Sequence, residues 1–179
     1  LFAIGLICAL MVLSTCATTG PGGEKSIILL TTNQEINIGR QMDQEIRKTE
    51  TLLDDPEWQN YITEIGQSIV AVSDRSDLQY HFAVIESEQI NAFAAPGGFI
   101  YFYTGLIKEF ESEAELAAVM AHEISHVVAR HGVQRLQTAM GASLLLQLAL
   151  GDSSPDLQQI AGTGVGLLMQ GYSRSQEAE

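Results

Sequence analysis

Residues 118–132, AVMAHEISHVVARHG, place two histidines four positions apart around a glutamate in an otherwise apolar run. Upstream, SEAE at residues 112–115 has the form of a capping box, and the apolar residues after it recur every three or four positions. These signals predict one amphipathic helix, with Gly132 as its C-terminal cap. The fold is therefore expected to be organised around a helix that carries the HExxH pattern.

The HExxH pattern has the geometry of a metal site. His122 and His126 lie about 40° apart around a helix axis, so both imidazoles can bind one zinc ion. Glu123 lies about 100° from His122, beside the metal rather than on it. A carboxylate there can take a proton from a zinc-activated water that attacks a peptide carbonyl. The pattern predicts a zinc peptidase, and the alternative is an ordinary polar helix face.

A catalytic zinc site needs a third protein ligand and an open position. His131 lies about 180° from His122 around a continuous helix, so it is not expected to reach the same metal. The third ligand must come from another segment, and a carboxylate of a later helix is the leading option. Glu177 and Glu179 are the only acidic residues after Asp156.

Other helices are predicted on both sides of this motif. TNQE at residues 32–35 has the form of a capping box. Asp55 and Pro56 offer an N-cap followed by proline at the first helical position. After the motif, apolar residues indicate helices over 133–150 and 156–170.

The segments between these helices predict strands. QYHFAVIE at residues 79–86 is rich in aromatic and β-branched residues, and we interpret His81 as an ordinary strand residue. Pro96-Gly97-Gly98 separates two apolar runs, which predicts a hairpin. The chain is therefore expected to have an α+β fold, mainly helical, with a small antiparallel β-sheet beside the HExxH helix.

The N-terminal residues resemble an export signal. LFAIGLICALMVL at residues 1–13 is an uncharged apolar run, shorter than a membrane-spanning helix. LSTC at residues 13–16 resembles the lipobox of bacterial lipoproteins, in which Cys16 would carry the lipid. An uncleaved anchor or a buried helix are the alternatives. The predicted organisation is a signal peptide (1–15), a flexible tether (16–25) and one zinc peptidase domain (26–179).

Composition limits the possible partners. The 22 acidic and 9 basic residues give a net charge of −13, which repels phosphate backbones, so nucleic acid is not expected as a partner. Both cysteines, Cys8 and Cys16, precede the predicted domain, which excludes a disulfide within it. We expect the protein to be anchored by lipid to a membrane, on the periplasmic side of the bacterial envelope.

Four segments carry a resemblance to a known family. They are INAFAAPGG (90–98), FIYFYTGL (99–106), HEISHVVARHG (122–132) and YSRSQEAE (172–179). In this order they resemble the zinc peptidases that include the CAAX prenyl protease, HtpX and the β-barrel assembly-enhancing protease BepA. The resemblance covers most of residues 32–179 and implies a gluzincin-type domain that holds one Zn²⁺ per chain.

The resemblance also implies roles for single residues. His122 and His126 would bind the zinc, and Glu123 would be the catalytic base. In this family the third ligand is the first glutamate of an E-x-x-A-D motif, which corresponds to Glu177. The alanine and aspartate of that motif would follow Glu179, so the motif is incomplete in this sequence.

The resemblance further implies a substrate-binding edge strand over the cleft, to which an extended polypeptide could add. From the residues alone, the same run could equally be the core of a hairpin. The strand consists of Gly98, Phe99, Ile100, Tyr101, Phe102 and Tyr103.

The chain contains no segment of transmembrane length, which makes it more similar to the soluble, exported BepA-like branch of the family. That branch implies an endopeptidase for unfolded or misassembled envelope proteins. The alternative is a chaperone-like binding module whose zinc site is structural or occluded. Glu123 favours the enzyme, because a structural zinc site has no use for a base.

Overall fold

The computed structural model describes residues 17–19, 25–150 and 157–169. The predicted signal peptide, Cys16 and Glu177 lie outside the described residues. The strands are β1 (Ala17–Thr19), β2 (Lys25–Ile27), β3 (His81–Ile85), β4 (Ala92–Ala95) and β5 (Phe99–Tyr103). The helices are α1 (Thr32–Thr49), α2 (Pro56–Val70), α3 (Thr104–Ile107), α4 (Glu113–Val128), α5 (His131–Leu150) and α6 (Leu157–Leu168).

Side chains fix the starts of the two long helices that precede the sheet. Thr31 Oγ1 accepts a hydrogen bond from the backbone N–H of Gln34, whose side chain accepts one from the N–H of Thr31. The capping box of α1 is therefore one residue earlier than predicted, and Glu35 takes a different role. α2 begins as predicted, because Asp55 Oδ1 accepts from the backbone N–H groups of Glu57 and Trp58.

The sheet has three strands in the order β3-β5-β4. β4 and β5 form the predicted hairpin, and Gly97 and Gly98 in its turn have φ values of 78° and 91°, which favour glycine. β5 runs parallel to β3, with His81 opposite Phe99. The α+β class is confirmed, but the sheet is mixed rather than antiparallel. β5 lies between two strands of opposite direction, so it must be parallel to one of them.

β5 separates two hydrophobic cores. Phe99, Tyr101 and Tyr103 pack into the core formed with α1 and α6, whereas Ile100 and Phe102 pack into the core formed with α2 and α4. This alternation follows from the two-residue period of a strand. Because helices cover both faces, all five residues of β5 are buried.

α4 ends at Val128, so the prediction that Gly132 is its cap is wrong. Arg130, at φ 60°, takes the left-handed conformation instead, and α5 begins at His131. Gly132 lies in the first turn of α5, where an added Cβ would be 3.1 Å from Cδ of Pro96. The glycine therefore allows α5 to approach the hairpin turn, and the break redirects the chain directly after the HExxH residues.

Two observations concern the N-terminal part and the membrane. Ala17–Thr19, in the predicted tether, pairs antiparallel with Lys25–Ile27, which crosses the predicted boundary between tether and domain; that boundary stays a prediction. Among the described residues, no helix combines the length and the apolar character that crossing a bilayer requires.

Candidate active site

The HExxH residues lie in the C-terminal half of α4. Ser112 begins this helix as predicted, because its Oγ accepts a hydrogen bond from the backbone N–H of Glu115. The rings of His122 and His126 stand one turn apart, with centroids 4.6 Å from each other and planes at 71°. His122 is exposed, whereas His126 is buried. The structure thus brings the two predicted zinc ligands together on one side of the helix.

Glu123 is buried on the flank of the same helix, with 5% of its surface exposed. Its position follows from the helical repeat, which places it about 100° from His122. A buried carboxylate beside a pair of imidazoles is an uncommon arrangement, because burial of a charged group needs compensation. It suits a group that exchanges a proton with a water near those imidazoles.

His126 is held in its neutral form. Burial lowers the pKa of its imidazole to about 3, and the neighbouring His122, His131 and Arg135 act in the same direction. The ring is therefore uncharged at neutral pH, which is the form that can bind a metal ion.

His131 was not predicted to belong to the site, but the structure places it against His126. The two Nδ1 atoms are 2.7 Å apart, and both residues are buried. In one continuous helix His131 would lie about 180° from His122, whereas the left-handed Arg130 turns His131 back toward α4. No local sequence signal marks Arg130 for this conformation, because arginine rarely adopts it.

The potential metal ligands among the described residues make up only part of a catalytic zinc site. Two imidazoles from adjacent turns of a helix are typical zinc ligands. Within residues 17–19, 25–150 and 157–169, no group of three or more potential metal ligands is gathered at binding distance. Glu177 lies beyond these residues, so its role stays a prediction.

Of the two alternatives for residues 98–103, the structure contradicts the edge strand and supports the buried strand of a hairpin. β5 is the central strand, since His81 N–H donates to the carbonyl of Gly98 on one side and β4 pairs on the other. The outer side of β3 is also covered, because Leu53 N–H donates to Val84 and Glu86 N–H to Thr51. Among the strands that the structure describes, β4 is therefore the outer strand on the other side of this sheet. It packs against α4.

A cleft of about 510 Å³ lies along β3, away from the HExxH residues. Its walls include Arg47, Asp54, Gln59 and Tyr80, and none of the candidate site residues on α4 contributes to it. We therefore place the candidate active site at α4 on the basis of its chemistry rather than at this cleft.

Comparisons with known proteins show which family the chain resembles. The profile of "Peptidase family M48" matches residues 56–179. The putative β-barrel assembly-enhancing protease of Vibrio cholerae is 34% identical over 163 residues, covering 84% of this chain and 33% of that protein. The β-barrel assembly-enhancing protease of Escherichia coli is 30% identical over 158 residues, covering 84% and 32%.

A mitochondrial protein is also similar. The metalloendopeptidase OMA1 of Schizosaccharomyces pombe is 36% identical over 121 residues, covering 66% of this chain and 35% of that protein. The chain thus spans about a third of the length of the curated relatives it matches.

Proposed function

The chain belongs to peptidase family M48, a family of metalloproteases, and we propose that it is a zinc-dependent endopeptidase for unfolded or misassembled envelope proteins. Its membership confirms the resemblance seen in the sequence. The observation that carries the proposal is the placement of His122, Glu123 and His126 on α4, with the two imidazoles adjacent and Glu123 buried beside them.

Each of these side chains has a distinct part in the proposed reaction. His122 and His126 would hold one zinc ion, with Glu177 as the third ligand. A zinc ion held there would supply Lewis acidity toward the scissile carbonyl and the attacking water. Glu123 accepts the proton of the attacking water at its carboxylate and passes it to the leaving amine. Since Glu123 is buried, bulk water competes little for that proton.

The third zinc ligand can be tested directly. Replacement of Glu177 by alanine should reduce the zinc content of the purified protein sharply, because two imidazoles alone leave a catalytic zinc site under-coordinated. Metal content is measured by plasma mass spectrometry. The matched control is Glu179→Ala, which removes the neighbouring carboxylate and should leave about one zinc per chain. Equal zinc content in the two variants would place the third ligand elsewhere.

The proposed location in the envelope has its own test. If Cys16 is the processed N-terminus, mass spectrometry of the mature protein should show acyl groups on that cysteine. Several acyl chains anchor a protein firmly, so its release from membranes should require detergent. Cys16→Ser should abolish the acylation, and the protein should then be released from membranes without detergent. A mature wild-type chain that begins before Cys16 without lipid would contradict the prediction.

A further inference from the structure

His126 and His131 form a direct contact that the proposed reaction does not use. Their Nδ1 atoms are 2.7 Å apart, a hydrogen-bond distance, and each residue is only 2% exposed. Two N–H groups cannot face each other at this separation, so one ring donates and the other accepts. The contact therefore fixes the tautomers of both imidazoles relative to each other.

The contact has a consequence for metal binding, given the proposed zinc site. A neutral histidine that donates a hydrogen bond through Nδ1 has a lone pair on Nε2. In metal sites, the group that accepts this hydrogen bond orients the imidazole toward the metal. We propose that His131 is a positioning residue for His126, whose Nδ1–H it accepts, so that Nε2 of His126 is the atom offered to the metal. His131 itself touches neither the metal nor the substrate.

The fold holds His131 in place independently of α4. His131 is the first residue of α5, directly after the left-handed Arg130, whose Nε lies 2.9 Å from Oε2 of the buried Glu35. The next residue, Gly132, packs against Pro96 in the hairpin turn. Both neighbours of His131 are thus fixed by contacts to other elements. The ring that orients His126 consequently belongs to a rigid junction rather than to a mobile loop.

Two substitutions at this position separate orientation from packing. His131→Phe keeps a ring of similar size but removes the acceptor, whereas His131→Asn keeps a polar acceptor at a position close to that of Nδ1. Zinc affinity of the full-length protein is measured by competition with a chromophoric chelator. We expect His131→Phe to weaken zinc binding by about tenfold to a hundredfold, and His131→Asn to recover most of that loss.

A control and a second readout make the result specific. His81→Phe changes a histidine in β3 that stacks on Phe99, and it should leave zinc affinity unchanged. Thermal unfolding of the metal-free variants measures any purely structural role. Unchanged zinc affinity in His131→Phe, whatever its melting temperature, would overturn the proposal.

Nitrogen NMR of the histidine rings tests the tautomer in the wild-type protein and does not depend on the variants folding. We expect a proton on Nδ1 of His126 and a lone pair on its Nε2. The opposite tautomer would overturn the assignment. A wild-type protein that binds no zinc would contradict the proposed function itself, and the observed tautomer would still decide whether His131 orients His126.

Discussion

Replacing Glu123 by glutamine should lower the rate of peptide-bond cleavage by about a hundredfold to ten-thousandfold, the usual cost of losing a general base. Glutamine is nearly isosteric with glutamate, so the packing of this buried residue should persist. The amide cannot accept the proton of the attacking water. Because Glu123 is not proposed to bind the metal, zinc content should remain that of the wild type.

The measurement is cleavage of an unfolded protein such as casein by the full-length enzyme, with metal analysis of the same samples. A chelator should stop the wild-type reaction. The matched control is Glu115→Gln, which changes an exposed glutamate on the same helix and should leave the rate unchanged. Equal cleavage by the wild type and the Glu123→Gln variant would refute the role of Glu123 as base.

The same experiment separates the peptidase from a binding module. A peptidase with a substituted base should still bind the unfolded protein without cutting it. If neither the wild type nor the variant cuts, but both suppress aggregation of an unfolded client, the chaperone-like alternative gains support. A segment that closes the site would give the same result, so accessibility of zinc to a small chelator must then be compared with cleavage.

Signals that act within one turn of a helix could be interpreted from the sequence. Asp55 and Ser112 cap their helices through backbone N–H groups two or three residues away, so the local pattern contains the whole interaction. The pairing of His122 with His126 follows equally from the helical repeat. The hairpin at Gly97-Gly98 needed only the glycines that tolerate positive φ.

Features that depend on distant partners could not be derived in this way. The sequence leaves open whether β5 is an edge strand or the core of a hairpin, because its insertion between β3 and β4 depends on pairing between residues far apart in sequence. The contact between His126 and His131 requires the left-handed Arg130. Nothing near Arg130 predicts that conformation, because the carboxylate beside it, Glu35, belongs to α1.

Glu35 contacts residues from three segments that are far apart in the sequence. Its carboxylate is 1% exposed and lies 3.1 Å from Nη1 of Arg75 and 2.9 Å from Nε of Arg130. It also accepts a hydrogen bond from the N–H of Gly97 in the hairpin turn. Arg75 in turn donates to the carbonyl of Val127, at the end of α4. This buried cluster connects α1, the hairpin and the junction that follows the HExxH residues.

Replacing Glu35 by alanine should lower the free energy of unfolding by about 3–5 kcal/mol, because removal of one partner leaves two largely buried guanidinium groups without their counter-charge. The measurement is the urea midpoint at unchanged slope. Glu45→Ala is the matched control, since it removes a glutamate of α1 whose partner Lys48 is exposed, and such a pair contributes about 1 kcal/mol or less.

The position of the cluster also predicts which part of the structure Glu35→Ala should destabilise. Arg130 adopts its left-handed conformation beside Glu35, so loss of the carboxylate should loosen the turn that brings His131 to His126. Glu35→Ala should therefore raise hydrogen exchange of the backbone at residues 128–133 more than in α2, whose residues are not part of this cluster. A urea midpoint shifted no further than that of Glu45→Ala would show that Arg75 and Arg130 are solvated without Glu35, and that another interaction holds the junction.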